Sequence, residues 1–243
     1  MSKARSLRGF LTLVALLVSL GGCRGQEGSS EQTANPAATS SPSAVPVPTG
    51  TPAVSAVPGD FDGCPPEGTA LGEHVRRLNE FKNRSAAPSE ADIDHSVTLA
   101  ALLAPGDDHS RWNEDRAAEM VGYVVRVLPG GKETTNCGAL DRPHRDTHIE
   151  LVLSPSDSAK NRRVIVEVTP RWRTAMQDQG VDWSTDHLKV RLEGQWVKIR
   201  GWLFFDAEHW NHSENTASGN PSNWRATAWE IHPITSIEVL PAP

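Results

Sequence analysis

The segment THIELVL, residues 147–153, alternates polar and apolar side chains in the pattern of a β-strand with one buried face. Residues 163–168, RVIVEV, alternate in the same way, with valines on one side and Ile165 and Glu167 on the other. Successive side chains of a strand point to opposite faces of a sheet, so each segment can place one row of apolar groups in a core. The two segments therefore predict two strands that each face a hydrophobic core.

Further strands and helices are indicated on both sides of this pair. Residues 121–128 are rich in valine and end at Pro-Gly-Gly, which predicts a preceding strand. Helical signals follow at 170–179 and at 184–192, where Ser184 is a candidate N-cap. The last strands are predicted at 196–205, interrupted at Gly201, and at 226–239, interrupted at Pro233.

This order of elements indicates the fold class. Three strands, a helical segment and further strands are the order of an OB-fold, a five-stranded Greek-key barrel, although an open α+β sheet has a compatible order. Residues 71–81 and 98–103 have helical spacing and precede the strands. We expect a mainly β protein with helices: an OB-fold-like barrel of five to six strands with an N-terminal helical extension.

The N-terminus has the features of an export signal. Basic residues precede an apolar run at 10–20, which is too short to span a bilayer, and Gly21-Gly22-Cys23 follows. This resembles a bacterial lipobox, which implies a signal peptide at 1–22 and lipidation of Cys23. An ordinary secretory signal is the alternative. The resemblance implies an extracytoplasmic, membrane-anchored protein and, because Arg24 is not an aspartate, the periplasmic side of the outer membrane in a cell with two membranes.

Composition divides the rest of the chain in two. Residues 23–60 are mostly Ser, Thr, Ala, Pro, Gly and Gln, so they predict a disordered linker behind the lipidated cysteine. Residues 61–243 have the length of a single globular domain. Without residues 1–22 the chain has 21 basic and 30 acidic residues, a net charge of −9. This charge makes nucleic acid an unlikely partner and leaves the lipid as the expected attachment to the membrane.

Two cysteines, Cys64 and Cys137, remain after lipidation of Cys23. Disulfides persist outside the cytoplasm, so we predict that these two residues pair with each other. The alternative is a pair of unbonded thiols, because nothing in the sequence fixes the distance between them.

Candidate site residues lie on the polar faces of the predicted strands. Alternation places Asp146 with His148 and Glu150, and Glu230 with His232, on faces opposite the core. As candidates to bind a ligand we take His148, Glu150, Glu167, Arg171, Glu230 and His232. Mixed imidazoles and carboxylates also suit a divalent metal ion, and that alternative set is His148, Glu150, His209, Glu230 and His232. A third interpretation is a structural cluster of mutually bonded polar groups.

Two tryptophans, Trp210 and Trp224, bracket a polar loop at 212–223. Indoles in such a loop either pack beneath it or stack on a sugar ring or base.

Five short motifs carry a resemblance to a known family. They are LNEFKNR at 78–84, DTHIE at 146–150, VEVTPR at 166–171, GWLFFDAEH at 201–209 and WRATAWEIHP at 224–233. They resemble an uncharacterised family of exported bacterial proteins, and the WEIHP string is the most distinctive of them. The resemblance implies a shared OB-like fold over most of residues 71–239. It supplies no activity and no catalytic residues.

Together these observations predict a lipid-anchored binding module of the bacterial cell envelope. Its expected ligand is a small polar molecule, a glycan or another envelope protein. A metal-dependent hydrolase that uses the His/Glu cluster is the alternative, and a structural envelope protein is the third. The sequence contains no HExxH, CxxC, GxSxG or GxGxxG motif and no Walker-type glycine loop, so catalytic residues are not assigned and an enzyme is the less favoured interpretation.

We expect the substitution Cys23→Ser to release the protein from the membrane fraction while the domain stays folded, because no other segment of the sequence is long and apolar enough to insert. Fractionation of exporting cells, with the wild-type protein processed in parallel, measures this. Continued membrane association of the variant would contradict lipidation at Cys23.

Overall fold

Five strands form a closed barrel in the computed structural model, which describes residues 53–243. The strands close in the order β1-β2-β3-β5-β4, and only β3 and β5 among these neighbours are parallel. This is an OB-fold-like arrangement, so the predicted fold class is confirmed. The bounds are β1 Ala117–Pro129, β2 Thr147–Val152, β3 Val164–Val168, β4 Trp196–Phe205 and β5 Trp229–Leu240.

Within residues 53–243, four α-helices accompany the barrel, close to the positions that the sequence predicts. Their bounds are α1 Glu73–Lys82, α2 Leu99–Leu103, α3 Pro170–Asp178 and α4 Thr185–Leu192. Ser184 caps α4 by accepting a hydrogen bond from the His187 backbone N–H, as expected. In the described part of the chain, none of the helices has both the length and the apolar character that crossing a membrane requires. The signal peptide, Cys23 and most of the predicted linker lie outside the described residues.

The barrel interior is filled by the apolar row of each strand. Ile149, Leu151 and the valines of β3 at 164, 166 and 168 are fully buried there. Trp172 of α3 and Trp183, in the connection to α4, are also fully buried in this core. Truncation of a buried aromatic residue of this size to alanine costs about 3–5 kcal/mol, so these helices are integral to the domain.

The last two strands stay continuous where the sequence predicts interruptions. The β4–β5 register shifts on both sides of Gly201, which lies within β4. A Cβ atom at Gly201 would lie 2.3 Å from the Pro233 carbonyl oxygen, so only glycine allows the two backbones to approach this closely. Pro233 follows a cis peptide bond but does not end β5, which continues to Leu240.

Residues 53–60, the described part of the chain before residue 61, pack on the rest of the domain. The Val57 N–H donates to the Ser85 carbonyl at 2.7 Å, and the Ala87 N–H donates to the Ser55 carbonyl at 2.8 Å. Val57 is buried against the core cluster. Composition alone places this segment in the linker, because its residues are small and carry little apolar surface.

The predicted disulfide is present between Cys64 and Cys137, which are 73 residues apart in sequence. It links the segment ahead of α1 to the loop between β1 and β2. Closing a loop of this length removes entropy from the unfolded chain and stabilises the fold by about 4 kcal/mol.

In the Cys23→Ser variant, Cys64 and Cys137 are the remaining cysteines. We expect no thiol labelling of this variant when it is exported, denatured and kept unreduced, and two labels after reduction. Reduction should also lower the free energy of unfolding by about 4 kcal/mol. A variant in which Cys64 and Cys137 are also replaced by serine is the control, since reductant should leave its stability unchanged. Two labels before reduction would show that the bond does not form.

Candidate functional site

The predicted site residues of β2, β3 and β5 lie together on the outer face of the barrel. Ile149, Val166 and Ile231 point into the core. Their neighbours point outwards, and His148 is the direct cross-strand partner of Glu167. The alternation in sequence therefore places His148, Glu150, Glu167, Glu230 and His232 on one surface of the folded protein.

Other parts of the chain cover this face. The loop between β4 and β5, residues 206–228, lies along it, and the Ala226 N–H donates to the Arg163 carbonyl at 2.8 Å. From the other side, Lys82 at the end of α1 contacts Glu133 of the β1–β2 loop at 2.6 Å. As a result Glu150, Glu167, Glu230 and His232 are buried, although they point away from the barrel core. Buried polar groups at this density require partners.

His148 is held between two carboxylates. Its Nδ1 lies 2.9 Å from Glu167 Oε1, and its Nε2 lies 3.7 Å from Glu150 Oε1. Burial lowers the pKa of His148, but Glu150 and Glu167 outweigh this and raise it to about 9. Burial raises the pKa of Glu167, but His148, His232 and Lys82 outweigh this and lower it to about 2. The pair is therefore an imidazolium–carboxylate ion pair at neutral pH.

Arg225 is the fully buried cation of the site. Its Nη2 donates to Asp206 Oδ2 at 2.9 Å, its Nη1 donates to Glu230 Oε1, and its Nε donates to Ser213 Oγ at 2.8 Å. His209 Nδ1 lies 2.7 Å from the same oxygen of Asp206. Burial raises the pKa of Asp206, but His209, Arg225 and Lys82 outweigh it and hold that pKa far below the ordinary value. Burial and the charge of Asp206 raise the pKa of Glu230.

A cleft of about 540 Å³ opens between the two covering loops. Trp224 forms one wall, with its ring centroid 5.8 Å from that of His148 and 5.9 Å from that of His209. Lys132 and Glu208 are exposed at the cleft, and neither side chain has a hydrogen bond or ion pair within residues 53–243. The other lining residues are Lys82, Gly131, Glu133, Thr134, Glu167, Asp206 and Glu230.

Arg171 is not part of this cleft. It donates to the backbone carbonyls of Gly59, Cys64 and Pro65 and to Asn83 Oδ1. These bonds occupy the guanidinium and fix the segment ahead of α1 to the first turn of α3. The prediction that Arg171 contacts the ligand therefore loses its basis, because its donors face the protein backbone.

The five residues predicted as a metal set do not form one ligand group. Within residues 53–243, the group with suitable spacing consists of Asp146, Glu167 and His232, which shares His232 with the predicted set. His209 contacts Asp206 instead, and Glu150 contacts Arg163 at 2.5 Å. Sequence periodicity assigns residues to a face but does not measure distances across it.

Several residues that define the site carry weak signals in the sequence. Arg225 immediately precedes a predicted strand and is fully buried, whereas Arg163 is the first residue of another and is partly buried beside Glu150; their surroundings depend on a loop whose path periodicity does not predict. The one available clue in the sequence is a basic residue in an acidic chain, which lies beside Trp224 in the case of Arg225 and beside a run of valines in the case of Arg163. Trp210 remains exposed and lies outside the cleft, whereas Trp224 lines it.

Comparisons with known proteins do not identify a family for this chain. No protein-family model matches it, and no curated protein sequence matches it at a significant level. The resemblance carried by the WEIHP motif stays a prediction.

We expect Asp206→Asn to lower the free energy of unfolding at pH 7 by about 3 kcal/mol, because it leaves the buried Arg225 with one carboxylate partner. The pKa of Asp206 is depressed, so its contribution is present above pH 4 and is lost as the pH falls. The free energies of unfolding of Asp206→Asn and the wild type should therefore differ by about 1 kcal/mol less at pH 3 than at pH 7.

Urea denaturation at pH 7, 4 and 3 measures both effects. The matched control is Glu208→Gln, which removes an exposed carboxylate from the same loop and should change stability by less than about 0.5 kcal/mol. Equal losses in the two variants would contradict the assigned role of Asp206.

Proposed function

We propose that this protein is a lipid-anchored, extracytoplasmic binding module whose cleft holds a small hydroxyl-rich ligand such as one unit of a glycan. The observation that carries the proposal is the polar, tryptophan-walled cleft over β2 and β3, between the β1–β2 and β4–β5 loops. Envelope location and lipid attachment rest on the N-terminal sequence and the lipobox resemblance.

The position of the cleft supports a binding role. OB-folds commonly bind oligosaccharides or oligonucleotides on the face of strands 2 and 3, between the loops that follow strands 1 and 4. The cleft uses those same elements, with His148 from β2, Glu167 from β3 and both loops. This is an analogy at the level of fold, so the choice of ligand must come from the chemistry of the cleft.

The chemistry of the cleft favours a neutral polar ligand. Lys82, Glu167, Asp206 and Glu230 already have charged partners inside the protein. Lys132 and Glu208, which have opposite charges, stay available, and the cleft volume lies in the range of small-molecule sites. A sugar ring matches this pattern, because its hydroxyls pair with charged groups of either sign while an apolar face packs on Trp224. The net charge of −9 after loss of the signal peptide disfavours the oligonucleotide version.

A metal-dependent hydrolase is the second candidate, and the Asp146–Glu167–His232 group favours it. Two of these three side chains, Asp146 and His232, are fully buried and do not line the cleft. An ion bound by these three residues would therefore lie behind the cleft wall, where Glu167 is the member of the group that also faces a ligand in the cleft. Binding without turnover is the better match to this geometry.

We expect the full chain to bind members of a panel of neutral mono- to tetrasaccharides, and Trp224→Ala to weaken that binding about tenfold or more, equivalent to 1.4 kcal/mol. Titration calorimetry and chemical shifts of the indole groups measure it. The matched control is Trp210→Ala, which removes an exposed tryptophan of the same loop from outside the cleft and should change affinity less than about twofold.

Two outcomes would contradict the proposal. One is the absence of shifts at cleft residues with every saccharide at millimolar concentration. The other is shortening of the panel members during incubation, measured by chromatography, which would favour the hydrolase. Inorganic phosphate and a mononucleotide serve as charged comparison ligands, and preferential binding of either would overturn the choice of a neutral ligand.

A further inference from the structure

Three side chains converge beneath the floor of the cleft. Asp146 immediately precedes β2, Glu167 lies on β3 and His232 lies on β5. One potential ligand atom from each lies within 4.8 Å of the other two, and all three residues are buried. The group thus draws one side chain from each of three neighbouring strand regions.

His232 has no hydrogen-bond partner for either ring nitrogen, although none of its surface is exposed to solvent. Its Nδ1 lies 3.6 Å from Glu167 Oε2 and 3.5 Å from Glu230 Oε2, and its Nε2 lies 3.8 Å from Asp146 Oδ2. Asp146 Oδ1 is also buried without a partner. Leaving such groups without a hydrogen bond costs about 1–3 kcal/mol each, so both ring nitrogens of His232 and Asp146 Oδ1 have capacity for an additional bound species.

The charges around the group favour a cation as that species. Five carboxylates are buried on this face: Asp146, Glu150, Glu167, Asp206 and Glu230. Arg163, Arg225 and the His148 imidazolium neutralise three of them, while Lys82 is matched by Glu133. The remaining negative charge is neutralised either by protons on the histidines or by a bound cation.

We propose that Asp146, Glu167 and His232 bind one divalent transition-metal ion of the Zn²⁺ or Mn²⁺ type. One imidazole and two carboxylates suit such ions, whereas Ca²⁺ and Mg²⁺ prefer oxygen ligands alone. Ligand atoms that lie 2.0–2.1 Å from a tetrahedral ion are about 3.3 Å apart. The 3.6 Å contact of Glu167 is with Nδ1 of His232 and the 3.8 Å contact of Asp146 is with Nε2, and one imidazole offers one of its nitrogens to an ion. The three atoms that serve one ion lie within 4.8 Å of one another, so the side chains must move closer together as the ion binds.

Neighbouring residues complete the environment of a metal site. Asn136 Nδ2 donates to Asp146 Oδ2 at 2.9 Å, and Glu230 lies beside the His232 ring. Contacts of this kind orient the ligands of bound metal ions. The ion would join β2, β3 and β5 behind the cleft and so hold Glu167 in place on the cleft floor.

Metal binding to the full chain tests the proposal without any knowledge of the cleft ligand. After removal of metal with a chelator, calorimetry with Zn²⁺ or Mn²⁺ alone should show one site with micromolar or tighter affinity, and the same ion should raise the melting temperature. His232→Gln and Asp146→Asn should each weaken binding by about 100-fold. The matched control is His95→Gln, which removes an exposed imidazole and should leave affinity unchanged.

Far-UV circular dichroism of each variant separates loss of binding from loss of the fold. If His232→Gln does not fold, Asp146→Asn and the wild-type melting shift still decide the question. The proposal is overturned if the folded wild type shows neither calorimetric binding nor a melting shift at 100-fold excess of each ion. It is also overturned if His95→Gln abolishes binding, since the ion would then lie on the surface.

Discussion

The buried guanidinium of Arg225 is the contact on which the arrangement of the site depends. It joins Ser213 within the β4–β5 loop to Asp206 at the start of that loop and to Glu230 at the start of β5. The Ala226 N–H also ties the loop to the Arg163 carbonyl just before β3, and the buried Asp108 accepts hydrogen bonds from Thr227 and Ala228. The loop in turn positions Trp224 beside His148 and converts an exterior strand face into a buried one.

Burying so many charges is costly, and the protein compensates by pairing them. Moving an isolated ion from water into a protein interior costs several kcal/mol, and only well-formed partners recover most of that free energy. Lys82 with Glu133, His148 with Glu167, and Arg225 with Asp206 and Glu230 are such pairs. His232 departs from this pattern, because its carboxylate neighbours lie just beyond hydrogen-bond distance. Because the other named charges of the site are paired, the missing hydrogen bonds of His232 distinguish it from its neighbours.

Local sequence patterns predict the barrel well because each strand is specified by its own alternation. The buried row of Ile149 and Leu151 can be predicted from the neighbouring residues alone. The same holds for the Ser184 cap and for the ends of the helices. The burial of the site by the β4–β5 loop cannot be predicted from local patterns. Whether Glu150 and Glu167 are exposed depends on a loop that begins 56 and 39 residues later in the chain, and loop paths follow from contacts rather than from periodicity. Arg171 illustrates the same limit, since its carbonyl partners lie more than 100 residues earlier in the chain.

The Cys64–Cys137 bond joins the segment that enters the domain to the loop that lines the cleft. Cys64 belongs to the segment through which the chain enters the domain, and Cys137 follows closely after the cleft-lining residues 131–134. Arg171 holds the same entry segment through three backbone carbonyls. The bond therefore gives tension on the N-terminal side of the domain a covalent route to the cleft-lining residues that passes through none of the strands β1 to β5.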